Sequence, residues 1–220
     1  MSTDKVLVLN ATGKVGRNVC RALIESGFDV YGTTRSNKTA LVSQGIKPVL
    51  CNYTVRTDLD GALEESGAKK VFAMTDYFAA AKSSADEEIR QGCNAIDAAK
   101  VAGVDHFIFM SVADAEFFNE RVKHLKAKVF LEKYLRDSGV PYSILRPCAF
   151  FENFDDSANW NPLKKGVVKF LDPPDYENPS DDNADNDYNH PCGLSKGRFV
   201  SIYWTESKFN NCFTNVFVIV

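Results

Sequence analysis

Short apolar runs alternate with amphipathic segments along the first 146 residues of the chain. A continuous apolar run of four to eight residues is typical of a strand that is covered on both faces. An apolar spacing of three or four is typical of a helix with one buried face, as at Ile89, Cys93 and Ile96. Strands are predicted at residues 5–9, 28–34, 47–51, 69–74, 105–111 and 142–146, with a helix between each successive pair.

This alternation predicts the α/β class. Strand–helix–strand units with right-handed crossovers give a parallel sheet with helices on both faces. We therefore predict a doubly wound parallel-sheet Rossmann fold over residues 1–172, with a short irregular C-terminal region. Residues 173–196 are rich in Asp, Asn and Pro and predict a linker or loop. Residues 197–220 form an apolar tail, in which "NVFVIV" could be a strand.

Composition narrows the class of protein. Of the 220 residues, 45% are hydrophobic and 25% charged, which is ordinary for a soluble globular domain. The net charge of −3 gives no electrostatic case for binding nucleic acid. No apolar run approaches the roughly 18 residues of a membrane helix, and no leader is recognised, so a cytoplasmic protein is expected. The six cysteines form no CxxC pair, so no metal site is predicted.

The segment "NATGKVG" at residues 10–16 follows the first predicted strand and opens the first helix. Asn10, Gly13 and Gly16 have the spacing of a glycine-rich dinucleotide fingerprint. Gly13 would let the backbone approach a pyrophosphate, and Gly16 would let the helix pack on the strand. Asparagine tolerates the left-handed conformation better than most residues, so Asn10 is predicted to weaken the motif without breaking it.

The end of the second predicted strand bears on which nucleotide would bind. NAD-binding sites usually place an Asp or Glu there for the ribose 2′-hydroxyl, but this chain has "TTRSNK". Arg35, together with Lys38, would suit a 2′-phosphate, and NADP(H) is therefore favoured. The alternative is a solvated pair of charges on a surface loop.

Six stretches resemble, in their order, the NmrA-like family, an atypical branch of the short-chain dehydrogenase/reductases. They are "NATGKVG", "TTRS", "MTDYF", "FIFMS", "HLKAK" and "GVPYSILRPCAFFENF", and the resemblance covers about residues 4–172. The acidic segment and the apolar tail depart from the family pattern, so the C-terminus is expected to be truncated or aberrant. The resemblance implies that the cofactor contacts are Asn10, Thr12, Gly13, Lys14, Val15, Gly16, Arg35, Lys38, Asn52, Thr75, Tyr77, Lys128, Phe150 and Asn153.

The residues expected to carry catalysis lie at the end of the fifth predicted strand and on the helix after it. Typical short-chain reductases use a Tyr-x-x-x-Lys pair on a helix and a serine after the fifth strand. Here the spacing is occupied by His124 and Lys128, and Ser111 follows the fifth predicted strand. His124 could move a proton near neutral pH, or could simply cap or pack. The resemblance implies that Lys128 is an acid/base group in a reductase, or holds the nicotinamide ribose in a regulator; a solvated helix lysine is the alternative.

Three functions follow as hypotheses. The leading one is an NADP(H)-binding redox sensor that binds a regulatory partner protein according to the state of its cofactor. The second is an NADPH-dependent reductase of a small carbonyl or quinone. The third is a cofactor-free interaction module that uses the apolar tail as its contact surface.

Overall fold

The computed structural model describes residues 4–147, except 37, 79–80, 114 and 116–122, and two strands nearer the C-terminus. The chain divides into two compact units, each with dense internal contacts, and the larger one contains Met1–Arg146. Everything described below, apart from the two C-terminal strands, concerns this larger unit. The segment at residues 173–196 that the sequence predicts to be a linker lies outside the described residues.

Six parallel strands form the sheet of the larger unit, in the order β3-β2-β1-β4-β5-β6. The order reverses direction at β1, as in a doubly wound sheet, and the predicted Rossmann fold is confirmed. Each strand falls within two residues of its predicted bounds. The strands are β1 (Lys5–Val8), β2 (Asp29–Thr34), β3 (Lys47–Leu50), β4 (Lys70–Ala73), β5 (His106–Met110) and β6 (Tyr142–Pro147).

Among the described residues, five helices with defined bounds connect these strands. They are α1 (Lys14–Glu25), α2 (Thr39–Val42), α3 (Arg56–Ser66), α4 (Ala85–Ala102) and α5 (Lys123–Ser138). Glycines with positive φ directly follow three of them: Gly67 after α3, Gly103 after α4 and Gly139 after α5. No helix in the described part of the chain is long and apolar enough to cross a bilayer.

The main core lies between the sheet and the helices α3, α4 and α5. Its strand side chains include Leu7, Phe107 and Ile144, and its helix side chains include Ile96 and Leu131, all essentially inaccessible to water. Burial of each such side chain stabilises the fold by about 1.5–3 kcal/mol. This layer holds α4 and α5 against each other on one face of the sheet.

The expected face of α4 is partly wrong. Ile96 is buried, but Ile89 and Cys93 are only half-buried. The helix instead turns its polar residues Glu88 and Gln91 fully inward, on the same face as Ile96. Because buried charge needs a partner, this inversion indicates a compensating group on a neighbouring element.

Two further strands lie near the C-terminus, β7 (Ser201–Ser207) and β8 (Phe217–Ile219). They pair antiparallel, with Ser201 opposite Ile219. The strand suggested at "NVFVIV" is confirmed over Phe217–Ile219. The pairing with β7 is a feature that the sequence did not predict, because "SIYWTES" carries no turn signal that would mark a hairpin.

Candidate functional site

The turn between β1 and α1 is built on Asn10, which adopts a left-handed conformation with φ of 58°. Its backbone N–H donates to Thr33 Oγ1 of β2 at 3.0 Å, and its carbonyl accepts from the N–H of Gly13 at 3.0 Å. Asparagine therefore takes the conformation that glycine usually provides at this point. The turn remains tight although the first glycine of the motif is missing.

Small residues allow this turn to lie directly against its surroundings. A Cβ atom on Gly16 would stand 2.2 Å from the carbonyl oxygen of Asn10. A Cβ atom on Gly32 of β2 would stand 2.7 Å from both Ala11 Cβ and Ile46 Cγ2. Gly16 thus leaves room for the β1–α1 turn to lie against α1, which is the close packing that the motif predicts for this glycine. Gly32 leaves room for the same turn to lie against β2.

The N-terminus of α1 differs from that of the longer helix α4. Its N-cap is Gly13, which supplies no side-chain cap, and its first turn contains no acidic residue. In α4, the Ser84 hydroxyl accepts from a first-turn N–H, and three acidic residues follow. No side-chain cap and no acidic first-turn residue therefore compete with an anion for the positive end of the α1 dipole, whereas the first turn of α4 is already capped and neutralised.

A cleft opens beside this turn at the carboxyl ends of β1 to β4. Arg35 follows β2 directly and is exposed, with Thr34 rather than an acid before it. Tyr53 projects a buried hydroxyl that has no hydrogen-bond partner among the described residues. Burial raises the pKa of this phenol, so the hydroxyl stays protonated. The cleft is lined by Asn10, Thr12, Thr33, Thr34, Arg35, Cys51, Tyr53 and Asp76.

Asn52 has a local role in the structure. Its side-chain oxygen accepts from the N–H of Thr54 at 3.3 Å and from the Thr54 hydroxyl at 2.9 Å. Its own N–H donates to Asp58 Oδ2 at 2.9 Å. These bonds order the turn between β3 and α3, and contact of Asn52 with an adenine stays a prediction.

Lys128 of α5 lies in a buried polar cluster with Glu88 and Thr75. Its Nζ is 3.0 Å from Glu88 Oε1 and donates to Thr75 Oγ1 at 2.5 Å. The Thr75 hydroxyl in turn donates to Glu88 Oε1 at 2.6 Å. The side chains of Lys128 and Glu88 are 11% and 1% exposed, and the face of the Phe109 ring lies 5.4 Å from Nζ. Lys128 is therefore not a solvated helix lysine.

Helix α4 also contacts Asp76, the residue that follows Thr75 in the β4–α4 loop. Gln91 Oε1 accepts from the backbone N–H of Asp76 at 3.2 Å. Glu88 and Gln91 thus contact two consecutive residues, Thr75 and Asp76, of which the second lines the cleft. Sequence reasoning placed Thr75 and Lys128 in the site but missed Glu88 and Gln91. Their spacing of three, in register with Gly92, Ala95 and Ile96, was the available signal.

A second ion pair lies one turn further along α5. Glu132 accepts from Arg146 at both oxygens, at 3.0 and 2.5 Å, and from Arg136 at 2.9 Å. Burial alone would raise the pKa of Glu132, but the bonds and charges of the two arginines outweigh it and lower the pKa. The buried Ser111 hydroxyl acts in the same direction, although its position falls outside hydrogen-bond geometry.

The other residues that the sequence predicts for the site are exposed, half-buried or outside the described residues. Lys14 and Lys38 are exposed at the starts of α1 and α2, and Val15 is half-buried. Tyr77 is half-buried, with its ring 5.1 Å from that of Phe78 in an edge-on contact. The backbone of His124 belongs to α5, but its side chain is outside the described part of the chain, as are Phe150 and Asn153. No group of metal-binding side chains occurs within the described ranges.

Residues 2–190 match the sequence pattern of a family described as NmrA-like. The chain belongs to the NmrA-like family. The resemblance inferred from its motifs is thereby confirmed. As an NmrA-like protein, it carries the site described above in the part of the chain that the family match includes.

Individual relatives add detail about the family. A (4-alkanoyl-5-oxo-2,5-dihydrofuran-3-yl)methyl phosphate reductase of Streptomyces griseus is 32% identical over 173 residues, covering 76% of this chain and 55% of that protein. The photosystem II assembly factor Ycf39 of Cyanophora paradoxa is 25% identical over 179 residues, with the same two coverages. The chain spans about half the length of the curated relatives it matches.

Solved structures are similar to this chain in both fold and sequence, and one of them is described with its cofactor. It is the NADPH-dependent quinone oxidoreductase QOR2 of Escherichia coli in complex with NADPH. The TM-score is 0.60 at 27% identity, covering 73% of this chain and 54% of that one. The similarity includes the α/β architecture on which the candidate site is built.

Proposed function

We propose that this NmrA-like protein binds NADPH along the carboxyl edge of its sheet and reduces a small carbonyl or quinone compound. The observation that carries the proposal is the buried cluster of Lys128, Glu88 and Thr75. Thr75 of this cluster is followed in the sequence by Asp76, which lines the cleft that contains Arg35. A protonated amine beside a dinucleotide cleft is the arrangement that carbonyl reduction needs.

The residues of the cleft fit the adenosine and pyrophosphate parts of NADPH. The Asn10 turn and the uncapped N-terminus of α1 suit the pyrophosphate. Arg35 presents a planar guanidinium that can bind a 2′-phosphate through two bonds, with Lys38 as a second cation nearby in sequence. The Tyr53 hydroxyl, which has no hydrogen-bond partner in the described part of the chain, supplies a polar contact inside the cleft. Tyr77, Phe150 and Asn153 stay predicted contacts towards the nicotinamide.

NADPH, when bound, supplies the hydride for such a reduction. The role of the chain's own residues is to hold and donate a proton. The ammonium of Lys128 has three N–H bonds, of which two are directed at Glu88 and Thr75, so the third can be directed at a substrate oxygen. Ser111 and His124 stay predictions as further hydrogen-bond or proton donors.

The relatives support a reductase. One is named for a reductase activity, and the structural relative is an NADPH-dependent quinone oxidoreductase. Because this chain spans about half of their length, substrate and activity of the whole protein are proposed here only as a class.

A second candidate is the redox-sensing regulator with a partner protein. The observation in its favour is His124, which stands where a catalytic tyrosine would be found in typical short-chain reductases. In that case Lys128 would bind the nicotinamide ribose instead of donating a proton. A cofactor-free module is the third candidate, and a failure to bind either nucleotide would support it.

The test combines binding with turnover. Calorimetric titrations with NADPH and NADH would compare the wild-type protein, Arg35→Ala and a charge-matched control, Lys47→Ala, at the amino end of β3. We expect NADPH to bind more tightly than NADH, and Arg35→Ala to weaken NADPH alone by about tenfold or more. Lys47→Ala should bind like the wild type.

Turnover would then be assayed with a panel of quinones and carbonyl compounds. We expect NADPH oxidation by the wild type and a decrease in kcat of about 100-fold in Lys128→Met. NADPH binding without turnover on any substrate would favour the regulator. Binding of neither nucleotide would overturn the proposal.

A further inference from the structure

Two buried carboxylates in the described part of the chain, Glu88 and Glu132, are used in different ways. Glu132 engages both oxygens, and its partners are arginines, which do not give up protons at physiological pH. Glu88 engages Oε1 alone, with a lysine and a threonine, and its Oε2 is buried without a partner among the described residues. The first is arranged as a structural ion pair, and the second is not.

Stability does not account for the arrangement at Glu88. Leaving one oxygen of a buried carboxylate without a hydrogen bond costs free energy. A buried ion pair is also frequently no more stabilising than apolar side chains of the same size. A group that is retained at such a cost, beside a ligand cleft, is better explained by what it does for its partner.

We propose that Glu88 is the positioning residue of Lys128, an inference that rests on the proposed function. Glu88, with the Thr75 hydroxyl, holds the ammonium of Lys128 in one place before NADPH or substrate binds. A lysine has a long flexible stem and would otherwise sample many orientations. Contacts from α4, from the β4–α4 loop and from Phe109 of β5 restrict it from three sides.

The helix packing explains how Glu88 reaches Lys128. Gly92 follows Glu88 by one turn, Leu131 follows Lys128 by one turn, and a Cβ on Gly92 would stand 2.3 Å from Leu131 Cδ2. The absence of a side chain at Gly92 thus lets the two helices approach closely. Because both helices connect parallel strands, they run in the same direction, and the close contact one turn on brings the acid and the amine together.

The test is a double-mutant cycle that consists of Glu88→Gln, Lys128→Met and the double variant. It measures unfolding in urea, the Kd of NADPH, and kcat and KM for the best substrate. We expect Glu88→Gln to lower kcat by at least about tenfold, with a change of less than about threefold in the KM for NADPH. In the Lys128→Met background, Glu88→Gln should have no further effect on kcat, whereas stability should partly recover.

Two further variants separate positioning from folding. Glu88→Asp keeps the buried charge but withdraws the carboxylate by one methylene, so we expect a folded protein with reduced kcat. Tyr134→Phe removes another bond between the same helices, from the Tyr134 hydroxyl to Asp97 at 2.8 Å, six residues along α5 from Lys128. Its kcat and Kd should match those of the wild type.

The outcomes distinguish the two proposals. If wild-type protein turns over NADPH and Glu88→Asp or Glu88→Gln retains wild-type kcat, the positioning role is wrong and the reductase stands. Additive effects of the Glu88 and Lys128 changes on kcat would also overturn the positioning role. If wild-type protein binds NADPH without turnover, the same cycle is evaluated from the Kd of NADPH. Additive effects of the Glu88 and Lys128 changes on this Kd, or no effect of the Glu88 change, would then overturn the inference. If wild-type protein does not bind NADPH, both proposals fall.

Discussion

Gly92 of α4 and Leu131 of α5 are in such close contact that any side chain on the glycine would displace the leucine. Both residues belong to the buried interface between the two helices that carry Glu88 and Lys128. The distance between the acid and the amine is therefore set by a contact between apolar groups one turn away. Core packing and the chemistry of the candidate site are linked at this point.

The first prediction concerns that contact. Gly92→Ala should destabilise the protein by about 1–2 kcal/mol, because the cost of overpacking exceeds the gain in helix propensity. Gly61→Ala in α3 is the matched control, since a Cβ there meets nothing within 4 Å. It should stabilise the protein by about 0.5–1 kcal/mol. Urea unfolding checks both, and equal stabilities for the two variants would contradict the packing argument.

The second prediction concerns the left-handed residue of the β1–α1 turn. Asn10→Gly should change the free energy of unfolding by less than about 0.5 kcal/mol, because glycine adopts a φ of 58° readily. Asn10→Ala should cost about 1 kcal/mol, because alanine lacks the short polar side chain that makes the left-handed conformation accessible to asparagine. Thermal unfolding of the three proteins provides the comparison. If alanine is as well tolerated as glycine, the turn does not impose this conformation in solution.

The third prediction concerns the ion pair of Glu132 and Arg146. Arg146→Met leaves a buried carboxylate without its main partner and should cost about 3 kcal/mol. In the double variant Arg146→Met/Glu132→Leu, the stability should return towards that of the wild type, because no buried carboxylate remains and the Arg136 side chain is partly exposed to water. Denaturant unfolding of both variants measures the difference. Simple addition of the two single effects would show that the residues are not coupled.

The fourth prediction concerns pH. Burial, with a smaller contribution from the charge of Lys70, lowers the pKa of His106, whose Nε2 is 2.9 Å from Ser143 Oγ. The unfolded chain therefore takes up a proton near pH 6.5, at a pH where the folded protein does not. Stability should be complete above pH 6.5 and should decrease as the pH falls through the folded pKa. His106→Gln should flatten this decrease in melting curves between pH 7.5 and 5.5, and an unchanged slope would exclude His106 as its source.

The fifth prediction concerns thiol reactivity. Burial raises the pKa of Cys20 and of Cys51 to about 12, and that of the half-buried Cys93 to about 11. Because the thiolate is the reactive form, iodoacetamide should modify Cys20 and Cys51 in native protein far more slowly than in urea. Peptide mass spectrometry assigns the modified sites. Rapid native alkylation of Cys51 would mean that the cleft opens more widely than the structure shows.

Strands could be predicted well from sequence because a parallel strand covered on both faces needs an unbroken apolar run, as at Lys5–Val8 and His106–Met110. The buried face of helix α4 could not be predicted in the same way. Its inward residues Glu88 and Gln91 violate the apolar period, and the lysine that compensates the charge lies forty residues further along the chain. Only the folded arrangement shows that pairing.

The motifs placed Asn10, Arg35 and Lys128 in the candidate site, and their contacts with a cofactor stay predictions. Tyr53 and Asp76, which also line the cleft, were not singled out from the sequence. Each follows a residue that was, Asn52 and Thr75. Beyond a strand end, the direction of each side chain depends on the turn that follows, and that geometry is not encoded in a spacing pattern.

The steric contact of Gly32 with Ala11 and Ile46 also restricts how this part of the protein can change. A larger residue at Gly32 needs room that Ala11 and Ile46 occupy. Substitutions there should be tolerated jointly and not singly, so a library that redesigns the nucleotide cleft should vary Ala11, Gly32 and Ile46 as one combinatorial unit.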